Sequence, residues 1–122
     1  MSYVKFEVPE NLKKKAMAFL TKVVEGEGKI KKGMNETTKS IERRKSKFVA
    51  IAGNVDPPEI IFHLPLICEE NKIPYIFIET KEDLGKSVKL SVPCSAISVL
   101  EMPASLNDDL KDIISKIEKL KK

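Results

Sequence analysis

Lys47-Phe-Val-Ala-Ile-Ala-Gly53 is the stretch on which the fold turns. Its apolar run is unbroken, so it lacks the alternation of a strand with one wet face, and it is too short for a buried helix. It reads as a strand covered on both sides, and such strands belong to sheets with helices above and below. The flanking sequence supplies those helices. Downstream, Asp56-Pro-Pro-Glu59 is a helix start, with an acidic N-cap followed by prolines whose missing amides cost nothing there. That helix should reach Asn71, with Pro65 tolerated as a kink, and Pro74-Tyr-Ile-Phe-Ile78 is the next strand. Thr80 can cap a short helix from Lys81 to about Gly85, Leu90-Ser-Val-Pro-Cys94 is a loop, and Ala96 to Glu101 is a strand. After Pro103 comes a last helix, about Ser105 to Leu120, with Leu106, Leu110, Ile113, Ile114 and Ile117 inward.

Upstream, Leu12, Ala16, Phe19, Leu20 and Val23 recur at helix spacing between Glu10 and Glu25, and Gly26 and Gly28 stop that helix. Lys29-Ile-Lys-Lys32 is a short strand leading to Gly33, and a helix from Met34 to about Lys45 turns Met34, Thr38 and Ile41 inward. Strands and helices alternate throughout. The fold class is therefore α/β, a three-layer α/β/α sandwich around a mostly four-stranded mixed sheet, in a single domain over residues 1–122.

Charge is unevenly spread. The net charge of +4 divides into +7 over residues 1–47 and −3 over residues 48–122. Residues 29–47 alone carry 8 basic and 2 acidic side chains, the concentration a polyanion site needs, although a solvated lysine face has the same composition. No apolar run approaches the roughly 20 residues of a membrane span, and Met-Ser-Tyr-Val-Lys-Phe-Glu7 lacks a signal peptide's apolar block. Cys68 and Cys94, far apart among apolar neighbours, are expected as buried free thiols in a reducing cytoplasm.

Enzymatic signals are weak. His63 is the single histidine and is expected as a partly buried helix residue. Without a second histidine or paired cysteines, no metal-ligand spacing exists. Asp56, Glu59, Glu69 and Glu70 are explained by a helix start and an exposed helix face, so neither a cofactor nor a catalytic residue is expected. Asn35, Lys39 and Arg43 are different: at i, i+4 and i+8 they share one helix face, with Glu36 beside them. The plain reading is a helix turn with an i,i+3 ion pair. The functional reading uses a glycine that lets a backbone approach, and helix-terminal amides that attract acceptors. Asn and Lys can donate to guanine O6 and N7, while a carboxylate accepts from guanine N–H groups, which a pure phosphate binder would not need. Because a regular RNA duplex hides its major-groove edges, such a reader would need a distorted helix.

Four blocks then carry a resemblance: Lys32-Gly-Met-Asn-Glu-Thr-Thr-Lys-Ser-Ile-Glu-Arg43, Ala52-Gly-Asn-Val-Asp-Pro-Pro-Glu-Ile60, His63-Leu-Pro-Leu-Ile-Cys-Glu-Glu-Asn-Lys-Ile-Pro-Tyr75 and Leu84-Gly85. From about Val8 to Ile117 the chain resembles the kink-turn-binding family of archaeal large-subunit ribosomal proteins, whose eukaryotic relatives include a small box C/D and spliceosomal RNA-binding protein. The resemblance implies binding to a bulged RNA helix bent around tandem sheared G·A pairs. By position it implies that Asn35, Glu36 and Lys39 contact those guanines, that Lys32 and Gly33 approach the backbone, and that Arg43 adds a phosphate contact. It likewise implies a pocket for a flipped-out nucleotide from Asp56, Ile60, Lys81 and Val92, and a short apolar loop, Leu90, Ser91, Val92 and Pro93, against the splayed bases. The chain departs from common family forms at Met34, at Arg44 and Lys89 (each in place of a usual glycine), and at Val92.

The partners so implied are kink-turns in ribosomal RNA of the large subunit, in box C/D and H/ACA guide RNAs, and in ribonuclease P RNA, hence a link to tRNA processing. Box C/D particles would add a Nop-domain protein and fibrillarin, which performs the methylation; this chain would catalyse nothing. A ribosome-only protein of the same fold, and a small hydrolase using Asp56, His63 and Glu59, are the alternatives.

Overall fold

The computed structural model describes residues 8–53 and 60–121, with residues 60–62 and 121 described by backbone alone. The element order is α1 (Glu10–Glu25), β1 (Lys29–Lys32), α2 (Met34–Glu42), β2 (Phe48–Ala52), α3 (Ile60–Asn71), β3 (Tyr75–Ile78), α4 (Lys81–Ser87), β4 (Ala96–Glu101), a 3-10 turn (Ala104–Leu106) and α5 (Asn107–Lys121). The four strands form one mixed sheet in the order β1-β4-β2-β3. β4 runs antiparallel to both β1 and β2, while β2 and β3 are parallel and joined through α3. Helices α2 and α3 cover one face, and α1 and α4 the other, where α5 packs on α1. The expected three-layer sandwich is what forms.

Phe48–Ala52 is buried at every position, as its unbroken apolar run requires. Phe19 of α1 meets Phe48 edge-to-face with ring centroids 5.8 Å apart, joining that helix to the central strand. The α1–α5 seam adds ion pairs on its rim: Lys15 with Asp112, Lys116 with Asp112 at 3.2 Å, and Lys22 with Asp109 at 3.9 Å. The hydrogen bond from Lys15, and then that from Lys116, hold the Asp112 carboxyl below its usual range, while the same pairing with Asp112 raises Lys15.

The α2 side of the sheet is polar where it is most buried. Ser40 on α2, Ser98 on β4 and Ser46 before β2 are joined Oγ to Oγ at 2.7 Å each. One end of this chain reaches the Thr37 carbonyl at 2.8 Å, the other the Phe48 carbonyl at 3.3 Å. Three hydroxyl protons can therefore point along the chain in either sense, and each sense satisfies every donor. The Thr37 hydroxyl, fully buried beside them, has no hydrogen-bond partner among the described residues.

Several expectations are corrected. α2 ends at Glu42 rather than Lys45, because Arg43 is its C-cap and Arg44 adopts φ 56°, in the left-handed region. Thr37, not Thr38, is the buried threonine, and Met34 and Ile114 are only half-buried at the edge of the core. His63 is exposed, not partly buried. Helix α4 runs two residues past Gly85, to Ser87, with the Thr80 hydroxyl accepting from the Asp83 amide at 3.0 Å as its cap. Helix α3 runs through Pro65, whereas its expected start at Asp56–Glu59 lies outside the described residues. Both cysteines are buried, and neither forms a disulfide among the described residues. Among the described residues no helix is long and apolar enough to cross a membrane.

Ser98→Ala should cost about 1 kcal/mol in urea unfolding. Combined with Ser40→Ala the loss should fall short of the sum by about 0.5 kcal/mol or more, since the two hydroxyls share one bond. The stability that Asp112 adds is present above the ordinary carboxylate range and lost as pH falls through its depressed value. Asp112→Asn should therefore flatten the acid limb of the stability curve measured by thermal unfolding.

Candidate nucleic-acid interface

The topology gathers most of the described candidate residues at one end of the sheet. β1 finishes there and passes through Gly33 into α2; the Gly33 amide donates to the Ala96 carbonyl at 2.9 Å, at the start of β4. β2 finishes there too, with the Ala52 amide on the Ser95 carbonyl at 2.9 Å and the Gly53 amide on the Ile78 carbonyl at 2.8 Å. From Gly33 to the end of β3 is three strand spacings, about 14 Å. Each element is short and none could hold a ligand alone; the end of the sheet supplies a surface that crosses all four strands.

Gly33 makes the tip of α2 possible. Its φ of 91° and ψ of 165° lie in a region essentially reserved for glycine. A Cβ added there would meet nothing within 4 Å, so the restriction is backbone strain alone and the surface above it is open. Having no side chain, Gly33 also leaves the first amides of α2 without a cap. Asn35, Glu36 and Lys39 stand exposed on the first turns, and Lys32 is exposed just ahead. The i,i+3 ion pair of the plain reading does not form. Among the described residues the ion pairs lie elsewhere, on the α1–α5 seam and at Lys29–Glu101 and Lys89–Glu25. An amide, a carboxylate and an ammonium are thus presented side by side without neutralising one another.

Arg43 does not join this group. It is exposed at the opposite end of α2, eight residues and about 12 Å along the axis from Asn35.

The second component is the loop between α4 and β4. Its ends are tied to α4, the Leu90 amide to the Gly85 carbonyl at 3.0 Å and the Cys94 amide to the Lys81 carbonyl at 2.9 Å. Lys89, in the left-handed region at φ 61°, pairs with Glu25 of α1 at 2.7 Å. Between these anchors Ser91, Val92 and Pro93 are exposed, and Val92, at 59% exposure, is the large apolar side chain left most open among the described residues. Leu90 is half-buried against the core, so it supports the loop rather than presenting itself. Lys81, half-buried at the start of α4, lies under the same loop. Asp56 and the side chain of Ile60, the remaining residues expected of a nucleotide pocket, lie outside what the structure describes.

Gly85 had no role in the sequence reading beyond its place in a motif. A Cβ on it would overlap the Val92 carbonyl oxygen and sit 3.4 Å from the Pro93 Cα, so only glycine lets the loop lie on α4. A glycine inside a short helix was the available signal. Gly85→Ala should push the loop off α4, with a loss of roughly 1–3 kcal/mol typical of overpacking. Gly33→Ala should cost about as much through backbone strain with no clash. Amide exchange separates them: faster exchange confined to residues 88–94 for the first variant and to the start of α2 for the second.

Among the described residues no group of three or more His, Cys, Asp or Glu is placed to hold a metal ion. A model of the ribosomal protein L7Ae/L30e/S12e/Gadd45 family matches residues 15–107, which include the α2 tip, the α4–β4 loop and all four strands. Among solved structures, a 15.5kD RNA binding protein of Giardia lamblia superposes with a TM-score of 0.87 at 34% identity, covering 98% of this chain and 97% of that one. The match of sequence blocks and of the whole sandwich leads to one assignment: the chain belongs to the ribosomal protein L7Ae/L30e/S12e/Gadd45 family.

Proposed function

We propose that this protein binds RNA and recognises the kink-turn, reading guanines of tandem sheared G·A pairs with Asn35, Glu36 and Lys39. The observation that carries the reading is the uncapped, glycine-led start of α2, where these groups are exposed and unpaired beside the open Val92 loop. Lys32 and the Gly33 backbone would lie along phosphates, and Val92 and Pro93 would pack on unstacked bases. The family assignment and the likeness to an RNA-binding protein of Giardia support the class of ligand.

The mechanism is selection of a bent state. A free kink-turn samples extended and kinked forms, and a ligand stabilises the form it binds better. Taking that equilibrium from 1:99 to 99:1 needs roughly 5.5 kcal/mol of differential affinity. Two or three base-edge contacts at about 1–3 kcal/mol each supply it. Lysines add affinity that falls with salt. On this reading the protein nucleates assembly and performs no catalysis itself. Its RNAs would be ribosomal, box C/D and H/ACA guide, and ribonuclease P RNA in the cytoplasm, with a Nop-domain protein and fibrillarin joining on box C/D RNA.

Gel-shift titration against a kink-turn and a copy with G·C in place of its G·A pairs tests the reading. Asn35→Ala or Glu36→Ala should weaken kink-turn binding about tenfold to a hundredfold and barely change duplex binding, while Lys31→Ala lowers both by a few-fold. Equal affinity of the unaltered protein for the two RNAs would sink the proposal.

A further inference from the structure

The far end of α2 carries a second cluster of charge that the guanine-reading tip does not use. Arg43, for which the family resemblance already implies a phosphate contact, is followed by Arg44, Lys45 and Lys47, all exposed, with only Ser46 turned inward. Lys72, at the end of α3, is exposed beside them, because its neighbour Asn71 bonds to Arg44. Among the described residues none of these five cations has a carboxylate within ion-pairing distance, although Glu42 and Glu70 are exposed on the same two helices.

Arg44 is the telling member. It holds φ 56°, a conformation that costs a residue with a side chain roughly 1–2 kcal/mol and glycine nothing. Its side chain is nonetheless fixed in place. Nε donates to Asn71 Oδ1 at 3.1 Å, and the Asn71 amide nitrogen donates to the Ile67 carbonyl at 2.9 Å, which sets the orientation of the asparagine. One of the five guanidinium N–H groups is thereby used for aiming, and the others are left for an external acceptor. An oriented arginine among unneutralised cations matches a row of phosphates.

We propose that Arg44, Lys45 and Lys47 extend the contact expected of Arg43 into a second RNA grip, on the phosphate backbone of a stem that runs from the tip down the helix. The inference rests on the RNA-binding reading above. Arg44 lies nine residues from Asn35, about 14 Å at helical rise, or about five base-pair steps of an A-form RNA stem. A stem shorter than that cannot reach it. An acidic protein is the poorer fit. Protein interfaces have apolar centres, and the large apolar side chain most exposed among the described residues, Val92, is at the opposite end of the sheet.

The test uses the full chain and kink-turn RNAs with one G·A core, each flanking stem in turn cut to about three base pairs or extended to about ten. The unaltered protein should bind one long-stem RNA about tenfold more tightly than its short form. Arg44→Gly should remove part of that gain and lower the salt slope on the long RNA by about 1, without changing the short one. Arg44→Gly combined with Lys45→Ala and Lys47→Ala should remove the gain. Urea unfolding of Arg44→Gly at or above the stability of the unaltered protein shows that the loss is not one of folding. Unchanged affinity and slope on the long RNAs, or equal losses on long and short, would overturn the proposal. Asn35→Ala serves as the control for the tip: it should weaken binding at both stem lengths, and its failure to do so counts against the guanine reading and not against the foot.

Discussion

Burial of the central strand on both faces is the constraint from which the rest follows. With Phe48–Ala52 covered by helices above and below, ligand contacts are excluded from the faces of the sheet and confined to its ends and outer helix surfaces. Strand direction then decides which segments meet. β1, β2 and β3 all finish at the end where β4 begins, so the tip of α2, the turn after β2, the start of α4 and the α4–β4 loop share one surface. Segments more than fifty residues apart in sequence, such as Asn35 and Val92, belong to that surface because β4 returns antiparallel between β1 and β2.

Two glycines shape this surface by different means. Gly33 supplies a backbone conformation and Gly85 supplies space, the first giving α2 an uncapped start and the second letting the loop lie on α4. Beneath α2 the serine chain seats the helix through directional bonds where another helix would use only apolar packing. Hydrogen bonds fix rotation about the helix axis more tightly than alkyl contacts do. That suits a helix whose outward face must present particular groups, and it confines the cost to a buried layer in which, among the described residues, the Thr37 hydroxyl alone goes without a partner.

The charges divide in a corresponding way. On the α1–α5 seam, lysines and aspartates neutralise one another at the surface, where such pairs add little stability. Along α2 and the turn that follows it, cations stand without carboxylate partners among the described residues. Apart from Lys29, which pairs with Glu101, the basic residues of 29–47 are therefore available to a ligand instead of being spent within the fold.

By itself the sequence determined the order and type of the elements, the two-sided burial of β2 and the mixed polarity of the α2 tip. Each of these is local: periodicity, capping residues and glycines act within a few positions, and Thr80 caps α4 as its spacing requires. The sequence also carried the family through its motif blocks. Tertiary structure alone decided that Thr37 and not Thr38 faces the core, and that Arg44 turns left-handed and ends α2 early. It alone showed Gly85 pressed beneath Val92 and the serines of three separate segments bonded in one chain. Those outcomes depend on which distant surface a residue meets once the sheet has closed, and no local pattern encodes that.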